Sequence, residues 1–161
     1  MNIFYLSKDV NKAAEYQCDK HVVKMILESA QMLSTAHRVL DGNEYADKAG
    51  LYNTVHKNHP STIWVRSSPL HYDWLWRHMK ALMREYTYRY EKHHATERLS
   101  KPLAQTPSNI CWDIPFTDPP QCMPDQYKCA DTVQAYRNYY LGDKAYFAKW
   151  QYTQKPSWWN E

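Results

Sequence analysis

Apolar positions recur every three to four residues over two long stretches of the chain, and this spacing predicts the two main helices. The first stretch covers residues 19–40. Val22, Val23, Ile26, Leu27, Ala30 and Leu33 fall on one side, and His21, Lys24, Glu28, Gln31 and Thr35 form a polar stripe on the other. Asp41-Gly42 ends it, with Gly42 as a left-handed C-terminal stop. The second stretch covers residues 69–93. Ser67-Ser68-Pro69 supplies a serine cap with proline in the first turn. Leu75, Met79, Leu82, Tyr86 and Tyr90 mark the buried stripe of this helix. Arg77, Lys80, Arg84, Arg89 and Lys92 make its other faces basic.

Shorter elements fill the rest. Residues 2–6 are an apolar start, read as a small strand or an extended arm. Ser7 and Asp9 are candidate caps for a helix over residues 10–16. A short helix is expected at 44–49 and another at 60–65, where Pro60 fits the first turn. Pro102, Pro107, Pro115, Pro119, Pro120 and Pro124 argue against regular structure between 95 and 127. Trp112, Phe116 and Met123 in that stretch predict a packed loop rather than a disordered linker. Asp131 or Thr132 starts a helix to residue 141, with Gly142 as its stop, and a last helix is expected over 144–151. The expectation is an all-α fold: one compact helical bundle spanning the chain, with a long ordered Pro-rich loop.

Composition narrows the picture. With 161 residues, 43% of them hydrophobic, the chain suits one folded domain with one core. Three glycines and many Lys, Glu, Met and Ala favour helix. Seven Trp, fourteen Tyr and three Phe are a heavy aromatic load. A mean hydropathy of -0.81 sets many of them among polar neighbours, which suits a wet binding surface as well as a core. A net charge of +3 permits nucleic-acid binding without demanding it. Cys18, Cys111, Cys122 and Cys129 match no common zinc spacing. No signal peptide and no membrane-length apolar run is seen, so a reducing cytoplasm is expected. Phosphate-binding glycine loops, HExxH and GxSxG are absent, which sets aside nucleotide-driven enzymes and standard hydrolases. No cofactor is expected.

Four features carry candidate chemistry, each with a plain alternative. Lys24 and Glu28 put an amine and a carboxylate four residues apart on one helix face, or form an ordinary ion pair worth a few tenths of a kcal/mol. His56 and His59 flank Asn58 before Pro60. They suit a metal or a phosphate, or simply fix a turn. The basic, aromatic helix 69–93 suits phosphates and unpaired bases, or is a core helix with a solvated side. Trp158-Trp159 either stacks on bases or seals the core.

These residues resemble a known family. Asp19-Lys20-His21-Val22 followed by Glu28 is similar to the first helix of the pyrimidine-dimer DNA glycosylases, the phage endonuclease V family. Lys24 and the segment Asn58-His59-Pro60, followed by Trp64, resemble a bacterial branch of it. His71-Tyr72-Asp73-Trp74-Leu75 resembles the start of the family's second long helix, and Lys155-Pro156-Ser157-Trp158-Trp159 its close. The segment from Pro119 to Pro124 resembles one found in small phage proteins. The resemblance implies a DNA-repair enzyme that binds double-stranded DNA as a monomer, in the host-cell cytoplasm if phage-encoded. It implies a glycosylase and abasic-site lyase that attacks the sugar of a damaged pyrimidine with an amine, assisted by Glu28. His21 joins the catalytic candidates. Lys20, Asn58, His59, Arg66, Arg77, Arg84 and Trp158 become candidate DNA contacts. The family's nucleophile is the α-amine of its mature N-terminal residue, a group that as a class is partly neutral at neutral pH. Here Asn2 predicts that Met1 is retained, and the arm is longer than in the phage enzyme, so the amine is sought at Met1 or Lys24. Two other readings stay open: a nucleic-acid-binding protein with the same fold and no catalysis, and a metal-dependent enzyme built on His21, His56, His59 and Glu28.

Overall fold

Local capping sets where most of the helices begin. In the protein, analysed as a computed structural model that describes residues 1–159, helix α1 spans Val10–Tyr16. The Asp9 carboxylate accepts from the N–H groups of Asn11 and Lys12, two of the four donors a helix start leaves unpaired. Helix α2 spans Asp19–Asp41 and stops at Gly42, whose φ of 82° suits glycine and whose N–H donates to the Arg38 carbonyl. Helix α3 is Glu44–Lys48. Helix α4 spans Pro60–Arg66, with the His59 ring as its cap and Pro60 in its first turn. Helix α5 spans Pro69–Tyr90. It opens with Ser68 accepting from the Leu70 N–H and closes at Glu91, whose φ is 56°. Helix α6 is Thr132–Tyr139, capped by Asp131.

The all-α expectation holds: α2 packs against α3, α4 and α5, and α1 lies along α5. Among the described residues there is no strand, and residues 2–6 run as an extended arm in which Ile3, Phe4, Tyr5 and Leu6 are buried. Burial of side chains such as Ile3, Phe4 and Leu6 stabilises by about 1.5–3 kcal/mol each. Among the described residues no helix is long and apolar enough to cross a membrane.

The simple two-sided reading of α2 is corrected. Val23 and Leu27, read as apolar-side residues, are exposed, while His21 and Thr35 from the polar stripe are buried. A helix with three helical neighbours buries most of its circumference, and Ser29, Ala30, Ser34 and Ala36 let those neighbours approach. Arg89, read as part of a basic surface, is also buried. It pairs with Asp19 at 3.1 Å and Glu85 at 2.9 Å, and donates to the carbonyls of Gln17 and Glu15.

The Pro-rich loop is ordered, as expected. It turns through short 3-10 segments at Ala95–Leu99, Pro102–Ala104 and Asp125–Tyr127 and buries Leu99, Leu103 and Ile110. Trp112 and Phe116 nevertheless face outward.

The last expected helix does not form. Tyr140–Lys144 makes a single π-type turn, and turns follow. The Lys149 carbonyl accepts from the Asp19 N–H at 2.8 Å, and the Gln151 N–H donates to the Asp19 carboxylate at 2.8 Å. The chain is thus spent on covering the unpaired N-terminus of α2 rather than on its own helix. Gly142 lies within that π turn, not at a left-handed stop. A Cβ there would run into the ring of Tyr127, and this close approach is what calls for glycine.

Candidate active site

The arm brings the start of the chain back over the middle of α2. The Met1 nitrogen lies 3.5 Å from Glu28 Oε1, and Lys24 Nζ lies 3.5 Å from Glu28 Oε2. One carboxylate therefore sits between two amines. The Glu28 side chain is only 12% exposed and the Met1 side chain 4%, whereas Lys24 is 64% exposed. Met1 thus reaches the carboxylate from the protein side and Lys24 from the solvent side.

Several ties hold the arm in this path. Asn2 Oδ1 accepts from the Ile3 N–H, and Asn2 Nδ2 donates to the Cys122 carbonyl at 2.9 Å. The Ile3 carbonyl accepts from Gln17, the Tyr5 hydroxyl donates to Asp118, and the Leu6 carbonyl accepts from Arg137. Phe4 adopts a φ of 57°, uncommon for a residue with a side chain. Its ring stacks on His21, with centroids 4.2 Å apart. The buried arm and its ties to the loop at 117–122 deliver its nitrogen to Glu28.

Histidines frame the cluster. His21 lies two turns before Glu28 on α2, and its Nδ1 meets the Tyr140 hydroxyl at 2.5 Å. Burial, and then the charges of Lys144, Lys24 and Lys20, push its pKa down to about 3, so its ring is neutral near pH 7. His59 caps α4 by accepting from the Ser61 N–H at 3.1 Å. Its pKa is lowered by burial, then by the Met1 ammonium and His56, while Glu28 acts in the opposite sense. His59 is therefore electrostatically part of the Met1–Glu28 cluster as well as a turn-fixing residue. His56, with φ of 45°, and exposed Asn58 form the turn before it. Among the described residues no three His, Cys, Asp or Glu side chains gather as a metal-binding group, so the set of His21, His56, His59 and Glu28 is not assembled as one.

The remaining sequence candidates are dispersed. Lys20 is exposed, with its Nζ 4.8 Å above the Phe147 ring. Arg66 ends α4, and its Nη1 is buried without a partner. Arg77 pairs with Asp73, and Arg84 donates to Asn11; both lie along α5 and share no contact with the Glu28 cluster. Trp158 is half-buried, with the Arg137 guanidinium 5.3 Å above its ring and Tyr16 at its edge. Sequence reasoning passed over Asn2, Phe4, Lys144 and Tyr140. The one signal for Phe4 was an aromatic within a short apolar arm. The contacts that tie the others to the arm and to α2 reach across more than a hundred positions, which no local pattern marks.

A groove of about 650 Å³ lined by Lys12, Glu15, Tyr16, Glu85 and Tyr88 lies elsewhere and includes neither Met1 nor Glu28. Met1 and Glu28 are largely covered and Lys24 is exposed, so the carboxylate is approached from the Lys24 side. No curated protein and no solved structure matches the chain. The family described as pyrimidine dimer DNA glycosylase matches residues 1–98, more than half of the chain and the part that holds Met1, Lys24, Glu28 and His59. The chain belongs to the pyrimidine dimer DNA glycosylase family.

Proposed function

We propose that the protein is a DNA glycosylase with abasic-site lyase activity, acting on damaged or modified pyrimidines in double-stranded DNA. The observation that carries this reading is the Glu28 carboxylate flanked by the Met1 and Lys24 nitrogens, each 3.5 Å away. In this mechanism a neutral amine attacks C1′ of the deoxyribose. The bond from C1′ to the base breaks, and the base leaves with the electron pair and takes up a proton. The sugar ring opens to a protonated Schiff base. Loss of a C2′ proton then expels the 3′ phosphate by β-elimination, and water hydrolyses the imine to return the amine. Glu28 stabilises the developing positive charge on the sugar and assists the C2′ proton transfer. Met1 is the preferred nucleophile because it is held on the buried side of the carboxylate, with Lys24 as the alternative amine. Extruding the nucleotide costs a few kcal/mol, less at a damaged site. As a DNA-repair enzyme the protein works in the cytoplasm, as a monomer and without a cofactor.

Borohydride trapping tests the reading. Incubation with abasic or UV-irradiated duplex DNA, followed by borohydride, should fix a covalent complex whose mass spectrum places the adduct on Met1. An adduct on Lys24 would move the nucleophile. Binding without any adduct on either DNA would leave a non-catalytic DNA-binding protein, the second reading. Glu28→Gln should lower turnover by roughly a hundredfold or more while DNA binding persists; unchanged turnover would refute the role of Glu28.

A further inference from the structure

The segment after α6 brings a cation and aromatic rings against Phe4 of the arm and Lys20 of α2, and the family match, which ends at residue 98, does not include this segment. Lys144 Nζ stands 4.7 Å from the Tyr139 ring centroid, 5.8 Å from that of Phe4 and 6.0 Å from that of Phe147. Lys20 Nζ covers Phe147 at 4.8 Å. Lys20, Lys24 and Lys144 all act on His21, and no carboxylate offsets them there. Among the described residues neither Lys20 nor Lys144 pairs with a carboxylate. Their acidic neighbours in sequence are engaged elsewhere: Asp143 accepts from the Tyr127 hydroxyl at 2.6 Å, and Asp19 pairs with Arg89 at 3.1 Å. Tyr146 is 86% exposed and meets Phe147 edge to face at 4.9 Å.

Unpaired ammonium groups held over rings, next to an exposed aromatic, match a polyanion that carries stackable bases. The ledge is continuous with the reacting groups through Lys24, His21 and Phe4. We propose that Lys20 and Lys144 hold the phosphodiester backbone of the DNA strand beside the reacting sugar, and that Tyr146 stacks on a base of that strand. This deepens the glycosylase reading and rests on it for the position of the strand.

The test separates binding from chemistry by using a duplex with a reduced abasic sugar, which forms no Schiff base. Affinity is measured against salt concentration. Lys144→Gln and Lys20→Gln should each lower the slope of log affinity against log salt by about 0.9 and both together by about 1.8. Lys144→Arg should restore the slope, and Lys48→Gln, on exposed α3, should leave it unchanged. Tyr146→Ala, at a site too exposed to affect folding, should weaken binding roughly tenfold without moving the slope, and Tyr146→Phe should restore it. An unchanged salt slope in both lysine variants, or unchanged affinity in Tyr146→Ala, would overturn the ledge even if trapping succeeds. Slope changes as stated, with no adduct in any variant, would uphold the ledge and defeat the lyase.

Discussion

Residues 1–98 and residues 99–159 are built in different ways around a shared core. The first part holds five α-helices, each opened or closed by side chains or backbone groups from the adjacent sequence. The second part has short turns, one eight-residue helix and one π-type turn. Many of its hydrogen bonds run to the first part: Thr117 to Trp64 and His71, Asp118 to Tyr5, Cys122 to Asn2, Arg137 to Leu6, Lys149 and Gln151 to Asp19. The difference teaches a division of labour. Glu28, Lys24 and the Met1 nitrogen belong to the part that the family match covers, and the part beyond it fixes the arm that brings them together.

The largest effect is expected at a buried ion pair inside the first part whose carboxylate also anchors the second part through Gln151. Arg89 has no exposed side-chain surface, and its partner Asp19 also receives the Gln151 N–H. Arg89→Ala leaves Asp19 and two carbonyls without their donor, and should cost about 3–5 kcal/mol in urea unfolding. A loss below about 1 kcal/mol would show that the parts hold together without this tie.

Acid should next loosen the first part and its contact with Tyr140 of the second. His21 is depressed to about 3, and His78, sealed between Val10 and Gln17, to about 4, chiefly by burial. Below the ordinary histidine value of 6.5 the unfolded chain takes up protons that the folded chain refuses. The stabilising preference for neutral rings is therefore complete above 6.5 and is lost as pH falls toward 4 and 3. Unfolding free energy should drop by up to about 1.4 kcal/mol per pH unit for each ring. Equal stability at neutral pH and near pH 5 would contradict the burial of both rings.

Gly142→Ala probes the second part alone. Its Cβ would strike Tyr127, at a cost of about 1–3 kcal/mol seen as a lower Tm, and adding Tyr127→Ala should recover most of it. No loss would mean that the π turn shifts freely. The smallest stability change, about 1 kcal/mol, is expected for Asn2→Ala, which removes the bond to Cys122. It should nevertheless slow adduct formation at Met1 roughly tenfold or more, because reacting groups displaced by an ångström lose most of their advantage. Affinity for the reduced abasic duplex should not change. Wild-type trapping in this variant would show that burial of Ile3, Phe4 and Leu6 alone positions the amine.

Much of the first part was legible because its signals are local. Asp9, Ser68, Pro60 and Gly42 mark helix ends through groups only a few residues away, and Leu75, Met79 and Leu82 repeat at helical spacing. The reading failed where a distant partner outweighed the local pattern. Arg89 looked like surface charge until Asp19 and Glu85 enclosed it. Residues 144–151 looked helical, but their backbone groups pair with the start of α2. Gly142 looked like a stop and is instead a point of contact with Tyr127.

The sequence by itself determined the helices, their ends, the family resemblance and the four-residue spacing of Lys24 and Glu28, since each depends on near neighbours along the chain. Only the tertiary structure decided that the Met1 nitrogen meets the same carboxylate and that Lys144 stands over the ring of Phe4. Those placements depend on the buried path of the arm and on hydrogen bonds such as Asn2 to Cys122, which join positions that no periodicity links.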